Sequence, residues 1–320
     1  MASYLVTGGA GFIGSHLSEA LARRGHHVRV VDSLVTGNRR NLDHVSGVEF
    51  VHGDLADLEV ARAAVDGVEF VLHQAAIPSV PRSVKDPLTS NEANITSSLN
   101  ILVAARDAGV KRFVYAGSSS AYGDTPTLPK REDMPTNPLS PYALQKLVGE
   151  QYCRLFTRLY GLETVTTRYF NVFGPRQDPG SPYSGVISLF STALLEGRRP
   201  IIYGDGEQTR DFTYVANVVD GVLRAAEASN VAGDVMNVAT GGRISLNELL
   251  RVMNRICGTN LEALYQAPRA GDVRDSQADI TKARTLIGYS PIVPFEEGLR
   301  RTLEWCKIDG VDRARGLQRP

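Results

Sequence analysis

Leu5-Val6-Thr7-Gly8-Gly9-Ala10-Gly11-Phe12-Ile13-Gly14 decides how this chain folds. A short apolar run ends at Thr7, and Gly8, Gly11 and Gly14 follow three residues apart. Apolar residues then recur at helical spacing through Phe12, Ile13, Leu17, Ala20 and Leu21. A strand, a glycine turn and a helix in that order make a cradle for a dinucleotide. Gly8 permits the tight turn, Gly11 lets a pyrophosphate approach the backbone, and Gly14 allows close helix packing. Phe12 and Ile13 belong to the same cofactor-binding stretch. Asp32 stands eighteen residues past Gly14, at the end of the second apolar run, where a carboxylate can take a ribose diol. That charge repels a 2′-phosphate and favours NAD, whereas Arg39 and Arg40 close by are the feature that would suit NADP.

Working outward, further apolar runs at residues 48–53, 70–73 and 112–117 alternate with helical patterns, such as Leu99, Leu102, Val103 and Arg106. Strand and helix in alternation, with continuously apolar strands, predict an α/β fold with a doubly wound parallel sheet, the Rossmann arrangement. A ligand is then expected beyond the carboxyl ends of the strands. After Phe173-Gly174-Pro175-Arg176 the rhythm loosens. Helices are expected at about 185–196 and 215–228, a strand near Val235, and two closing helices around 245–257 and 295–307. The expected domains are an NAD-binding unit over 1–172 with a return segment near 212–238, and a smaller α/β substrate lobe over 173–320. Residues 314–320 read as a frayed tail.

Thirty-five basic residues balance thirty-five acidic ones, so no global field draws the chain to nucleic acid or to an anionic membrane. Cys153, Cys257 and Cys306 are odd in number and in no metal spacing, which suits a reducing compartment. With a glycine loop starting at residue 7 and no apolar run near membrane length, the expectation is a cytoplasmic protein without a signal peptide. The six histidines show no ligand spacing, and no metal is expected.

Tyr142 stands four residues before Lys146, one helical turn away. A free phenol ionises near pH 10, too high for a base at neutral pH, and an ammonium on the same face is expected to favour the phenolate. The glycine spacing followed by Tyr-x-x-x-Lys resembles the extended short-chain dehydrogenase/reductase family. Gly53-Asp54-Leu55, His73-Gln74-Ala75-Ala76, Asn94, Tyr169-Phe170-Asn171 and Arg210-Asp211 also fall where that family places them. The resemblance implies that Asp54 and Leu55 flank an adenine and that Ala75 and Ala76 line the pyrophosphate and ribose. It also puts Asn94 in the cofactor site and Tyr169 beside the nicotinamide. Ser118, four residues before Tyr122, matches the family's active-site hydroxyl; Ser119 and Ser120 are weaker candidates.

Family members that eliminate water or CO₂ carry an extra carboxylate at the positions of Ser119 and Ser120. Serines there imply hydride out and hydride back, the work of a 4-epimerase. The chain most resembles UDP-sugar 4-epimerases, above all the group acting on UDP-N-acetylglucosamine. By that resemblance Arg210 and Arg269 grip the diphosphate, Asn171 meets sugar or diphosphate, and Asp272 takes a uridine hydroxyl. Ser276 stands where a tyrosine leaves room only for a 2-hydroxyl, so serine implies space for an N-acetyl group. Two readings compete: a UDP-glucuronate 4-epimerase, with Arg82 or Arg176 on the sugar carboxylate, and a catalytically silent NAD-binding regulatory protein. Helices at about 91–108 and 141–160 carry surplus apolar positions, and the resemblance implies that they pair in a homodimer.

Overall fold

The computed structural model describes residues 1–178, 185–268 and 273–314, with side chains through residue 308. The first part of the chain runs β1 (Ser3–Thr7), α1 (Phe12–Arg23), β2 (His27–Asp32), β3 (Val48–His52), α2 (Leu58–Val65), β4 (Phe70–His73), α3 (Val80–Lys85), α4 (Pro87–Asn91), α5 (Ser97–Asp107), β5 (Arg112–Ser118), α6 (Pro141–Tyr160) and β6 (Thr164–Tyr169). The second runs β7 (Val172–Phe173), α7 (Val186–Leu195), β8 (Ile201–Tyr203), β9 (Thr209–Arg210), β10 (Thr213–Tyr214), α8 (Val215–Glu227), β11 (Val235–Val238), β12 (Ile244–Ser245), α9 (Leu246–Cys257), β13 (Leu264–Gln266), α10 (Thr281–Ile287) and α11 (Phe295–Ala314).

Seven strands form one sheet in the order β11-β6-β5-β4-β1-β2-β3, and every pairing in it is parallel. Alternation along β1 shows why both faces are covered. Tyr4 and Val6 pack with Leu17 and Leu21 of α1 and Val218 and Val222 of α8. Leu5 packs with Ala61 of α2, Ile101 of α5 and Phe156 of α6 on the other face. The winding reverses between β1 and β4, which opens a crevice at their carboxyl ends. A separate apolar cluster gathers around Phe173, Phe190, Phe212, Leu249, Met253 and Leu299, from the elements that follow β6. No helix among the described residues is long and apolar enough to cross a membrane.

Two sequence expectations need correction. A third late helix, α10, precedes the last one; at seven residues, with only Ala283 and Ile287 buried, it leaves too short a periodic trace to be read. The helix expected over 91–108 is interrupted: α4 ends at Asn91, and a wide π turn over Glu92–Thr96 precedes α5. That extra residue per turn swings Asn94 inward, where it is 1% exposed.

Candidate active site

The glycine turn joins β1 to α1. Gly8 takes φ +64°, and a Cβ there would lie 2.8 Å from the Ala75 backbone, so the first glycine permits both the turn and the approach of the β4 exit. A Cβ on Gly14 would stand 2.2 Å from the Gly8 carbonyl oxygen, so the third glycine packs helix against turn. Gly11 caps α1 without a side-chain hydrogen bond, leaving the first N–H groups of the helix for a ligand. Phe12 and Ile13 are half-buried at the start of that helix. Asp32, 7% exposed, accepts from Ala10 N–H at 2.9 Å and Leu34 N–H at 2.8 Å, which ties the end of β2 to the glycine turn. Burial raises its carboxyl, and those backbone donors oppose the rise.

On the far side of the crevice a directed chain of hydrogen bonds sets the β4 exit. Thr7 Oγ1 accepts from the N–H groups of Gln74 and Ala75, both at 3.2 Å, and so donates to His73 Nδ1 at 2.7 Å. His73 Nε2 then donates to Ser98 Oγ at 3.0 Å, and Ser98 donates to the Asn94 carbonyl at 2.6 Å. Burial, reinforced by the Lys146 charge, pushes this imidazole down to about 3, so it stays neutral. Asn94 accepts from Ile77 N–H at 2.8 Å and donates to Gln145 at 2.8 Å. Its hydrogen bonds therefore shape the wall that carries Ala75 and Ala76. Tyr169 donates to Gln74 Oε1 at 3.0 Å across the strand ends. Asp54 is exposed with Oδ1 accepting from Ala56 N–H, and Leu55 is buried in the sheet core.

Tyr142 and Lys146 lie in the first turns of α6. Ser140 caps that helix, accepting from Ala143 N–H, while Ser83 of α3 accepts from Tyr142 N–H at 3.1 Å. Deeper in, Glu150 takes a bidentate ion pair from Arg168 of β6 at 2.7 and 2.8 Å, so the helix is pinned to the sheet. The Tyr142 phenol lies near the Ser118 hydroxyl, which in turn lies 2.8 Å from Ser120 Oγ. Burial pushes this phenol up to about 12, against the lowering effect of the Ser118 hydroxyl. The expected help from Lys146 is not the arrangement found. Its ammonium sits over the Tyr115 ring, 4.6 Å from the centroid, and burial pulls it down to about 8. At neutral pH the pair is thus a protonated phenol and an ammonium that is still mostly charged but turned to the Tyr115 ring.

Beyond the strand ends, Asn171, Gln177, Val186, Tyr203, Gln208 and Arg210 are among the residues lining a cavity of about 230 Å³. Arg210 reaches it while donating to the carbonyls of Thr209 at 2.9 Å and Arg274 at 3.1 Å; its neighbour Asp211 is fully buried and collects donors from Thr240, Gly241 and Ala278. Asn171 holds φ +32° and donates to the Asp211 carbonyl at 3.2 Å. Ser276 is half-buried, its N–H on the Thr209 carbonyl at 3.1 Å. Arg269 and Asp272 lie outside the described residues. Sequence reading missed Gln177, Val186, Tyr203 and Gln208, because their signal is a tertiary one: β8 pairs with β13, some sixty residues on, to build this wall.

The description "NAD dependent epimerase/dehydratase family" belongs to a family model that matches residues 4–239. The chain belongs to this family. UDP-glucose 4-epimerase of Mycolicibacterium smegmatis is 40% identical over 308 residues, 95% of this chain and 98% of that protein. UDP-N-acetylglucosamine 4-epimerase from Methanobrevibacter ruminantium M1, solved with UDP-N-acetylmuramic acid, superposes with a TM-score of 0.92 at 38% identity, over 96% of this chain and 99% of that one. UDP-glucose 4-epimerase from Thermotoga maritima, solved with UDP-glucose, gives 0.92 at 39% identity, again over 96% and 99%. Within the NAD dependent epimerase/dehydratase family, this chain is an isomerase of the 4-epimerase class and its cofactor is NAD.

The crevice fits that cofactor. An uncapped helix N-terminus faces it, the Asp32 carboxylate stands where β2 meets the glycine turn, and Gln74 Nε2 is a buried donor with no acceptor among the described residues. Lys146 carries a measurable cost of the same design. Its folded pKa is depressed from 10.5 to about 8, so the penalty for burying its charge is fully present below pH 8. It fades as the pH rises, because the folded protein gives up the proton before the unfolded chain does. Lys146→Met is therefore expected to stabilise the NAD-free protein by about 2 kcal/mol at pH 7, allowing for the lost contact with Tyr115, and by little near pH 10. Urea denaturation at the two pH values measures this. Destabilisation at pH 7, or a pH-independent effect, would contradict it.

Proposed function

We propose that this chain is a UDP-sugar 4-epimerase that interconverts UDP-N-acetylglucosamine with UDP-N-acetylgalactosamine and, less readily, UDP-glucose with UDP-galactose. The observation that carries the reading is the hydroxyl-only setting of the phenol: Tyr142 lies near Ser118, and Ser118 is hydrogen-bonded to Ser120. No described carboxylate hydrogen-bonds to these three hydroxyls, so nothing at hand serves an elimination. Bound NAD supplies the hydride acceptor and donor, and a positive ring whose charge favours the phenolate. Tyr142 takes the proton of the sugar 4-hydroxyl and Ser118 orients that oxygen, while Lys146 stands one turn on with its ammonium over the Tyr115 ring. Arg210, with Arg269, holds the diphosphate while the 4-keto sugar turns over, and Tyr142 returns the proton to the inverted carbon's oxygen. Asn171 and Asp272 complete the grip on sugar and uridine. Ser276, small and fixed by its backbone, supports a pocket that admits the N-acetyl group.

Arg176 weighs against the glucuronate reading. Its guanidinium is held by Glu19 at 14% side-chain exposure and leaves no cation there for a sugar carboxylate. A homodimer through α5 and α6 is part of the proposal, supported by the exposed Leu144, Leu155, Leu159 and Tyr160 on α6. The test is a panel of UDP-glucose, UDP-N-acetylglucosamine and UDP-glucuronate incubated without added NAD, with products identified by NMR. C4 epimers of the first two are expected, from a species that scatters light as two 34.7 kDa chains. An unchanged panel refutes the activity, and a one-chain mass refutes the dimer.

A further inference from the structure

The loop after β7 is gripped by the helix that cradles the cofactor. Arg176 holds φ +68°, a left-handed backbone that a side-chain-bearing residue adopts only when its surroundings demand it. The demand is visible. Arg176 Nη2 hydrogen-bonds and ion-pairs with Glu19 of α1, and Nη1 lies 3.4 Å from Ser15 Oγ on the same helix. His16 Nε2 donates to the Pro175 carbonyl at 3.0 Å. His44 Nε2 lies 2.8 Å from Arg176 and 3.2 Å from the Glu19 carboxylate, accepting from one or donating to the other according to its tautomer. Arg176 and Glu19 are 14% and 11% exposed, so water screens their attraction little.

What this grip holds is a wall of the nucleotide cavity. Gln177, the next residue, donates to the Val172 carbonyl at 3.2 Å and accepts from Ser188 of α7 at 2.9 Å. Asn171, Phe173 and Gln177 all line the cavity. The first turn of α1 meets the cofactor, its second and third turns hold this loop, and the loop meets the substrate nucleotide.

We propose that Arg176 is a positioning residue, and that its pairing with Glu19 couples the two ligands: NAD at the start of α1 orders the loop that receives UDP, and UDP returns the effect. The inference rests on the UDP-sugar reading above. Coupling of this kind is reciprocal and typically changes affinity by about 5- to 150-fold.

Calorimetric titration of UDP into NAD-loaded and NAD-stripped protein tests it. Wild type is expected to bind UDP roughly tenfold more tightly when loaded. In Arg176→Gln and Glu19→Gln that ratio falls towards one, and the double variant falls no further, because both changes cut one link. Arg176→Lys, which keeps the charge, retains part of the ratio. A wild-type ratio of one overturns the coupling, as do variants that melt earlier yet keep the wild-type ratio. Failure of the wild type to bind UDP in either form instead overturns the substrate reading on which the coupling stands.

Discussion

Tyr142→Phe is expected to lower kcat by about 10²- to 10⁴-fold, the range for removal of a positioned acid-base group. The loss belongs to the hydroxyl alone. The turn that carries Tyr142 is held by the Ser83 and Ser140 hydroxyls acting on backbone N–H groups, and neither contact involves the phenol. Ser118 keeps its contact with Ser120, so no buried hydroxyl is stranded. NAD content after purification, read by absorbance on release from denatured protein, is therefore expected to match wild type. A phenylalanine variant that turns over UDP-sugars at the wild-type rate would remove Tyr142 from the mechanism. Loss of both turnover and NAD would mean that the substitution damaged the crevice instead.

Ser276→Tyr is the second large effect. The Ser276 backbone is fixed by the Thr209 carbonyl, and the segment behind it is braced by Lys130 N–H on the Gln277 carbonyl at 2.7 Å and Ala278 N–H on Asp211 at 3.2 Å. A phenol ring added there cannot be accommodated by retreat of the chain, so it projects into whatever space the serine leaves. With the sugar's 2-substituent in that space, kcat/KM for UDP-N-acetylgalactosamine is expected to fall by roughly 10²-fold, the scale of an overfilled pocket. UDP-galactose, carrying only a hydroxyl, is expected to stay within about threefold of wild type. Equal loss for both sugars, or for neither, would detach Ser276 from the choice of substrate. The outcome distinguishes a specificity wall from a structural residue because the two substrates differ only at that substituent.

Much of the cofactor half was legible because its signals are local. Gly8 needs its positive φ whatever lies around it, and Asp32 follows from a strand length. The strands read from apolar runs lie within two residues of those observed, and the parallel pairings follow from connections, most of them helical, that cross over between strands. The substrate half was less legible. Its strands are two or three residues long and pair across distances such as Arg210 with Ile244, so no run of sequence announces them. The cavity wall of Tyr203 and Gln208 was invisible for that reason, whereas Arg210 and Asn171 were found through motif resemblance and do line the cavity.

Tyr142 and Lys146 show the boundary most clearly. Their four-residue spacing on one helix is a property of the sequence, as are the glycine turn and the α/β alternation, because stereochemistry and periodicity act over a few residues. Their protonation is not. Burial beside Tyr115 lowers the ammonium to about 8, and burial beside Ser118 raises the phenol to about 12. Desolvation depends on what folds over a group from elsewhere in the chain, and the same holds for the grip of α1 on Arg176, 157 residues away from Glu19. The local code determined which chemistry this chain carries; only the tertiary structure decided the charge state in which it waits and the contacts that hold it in place.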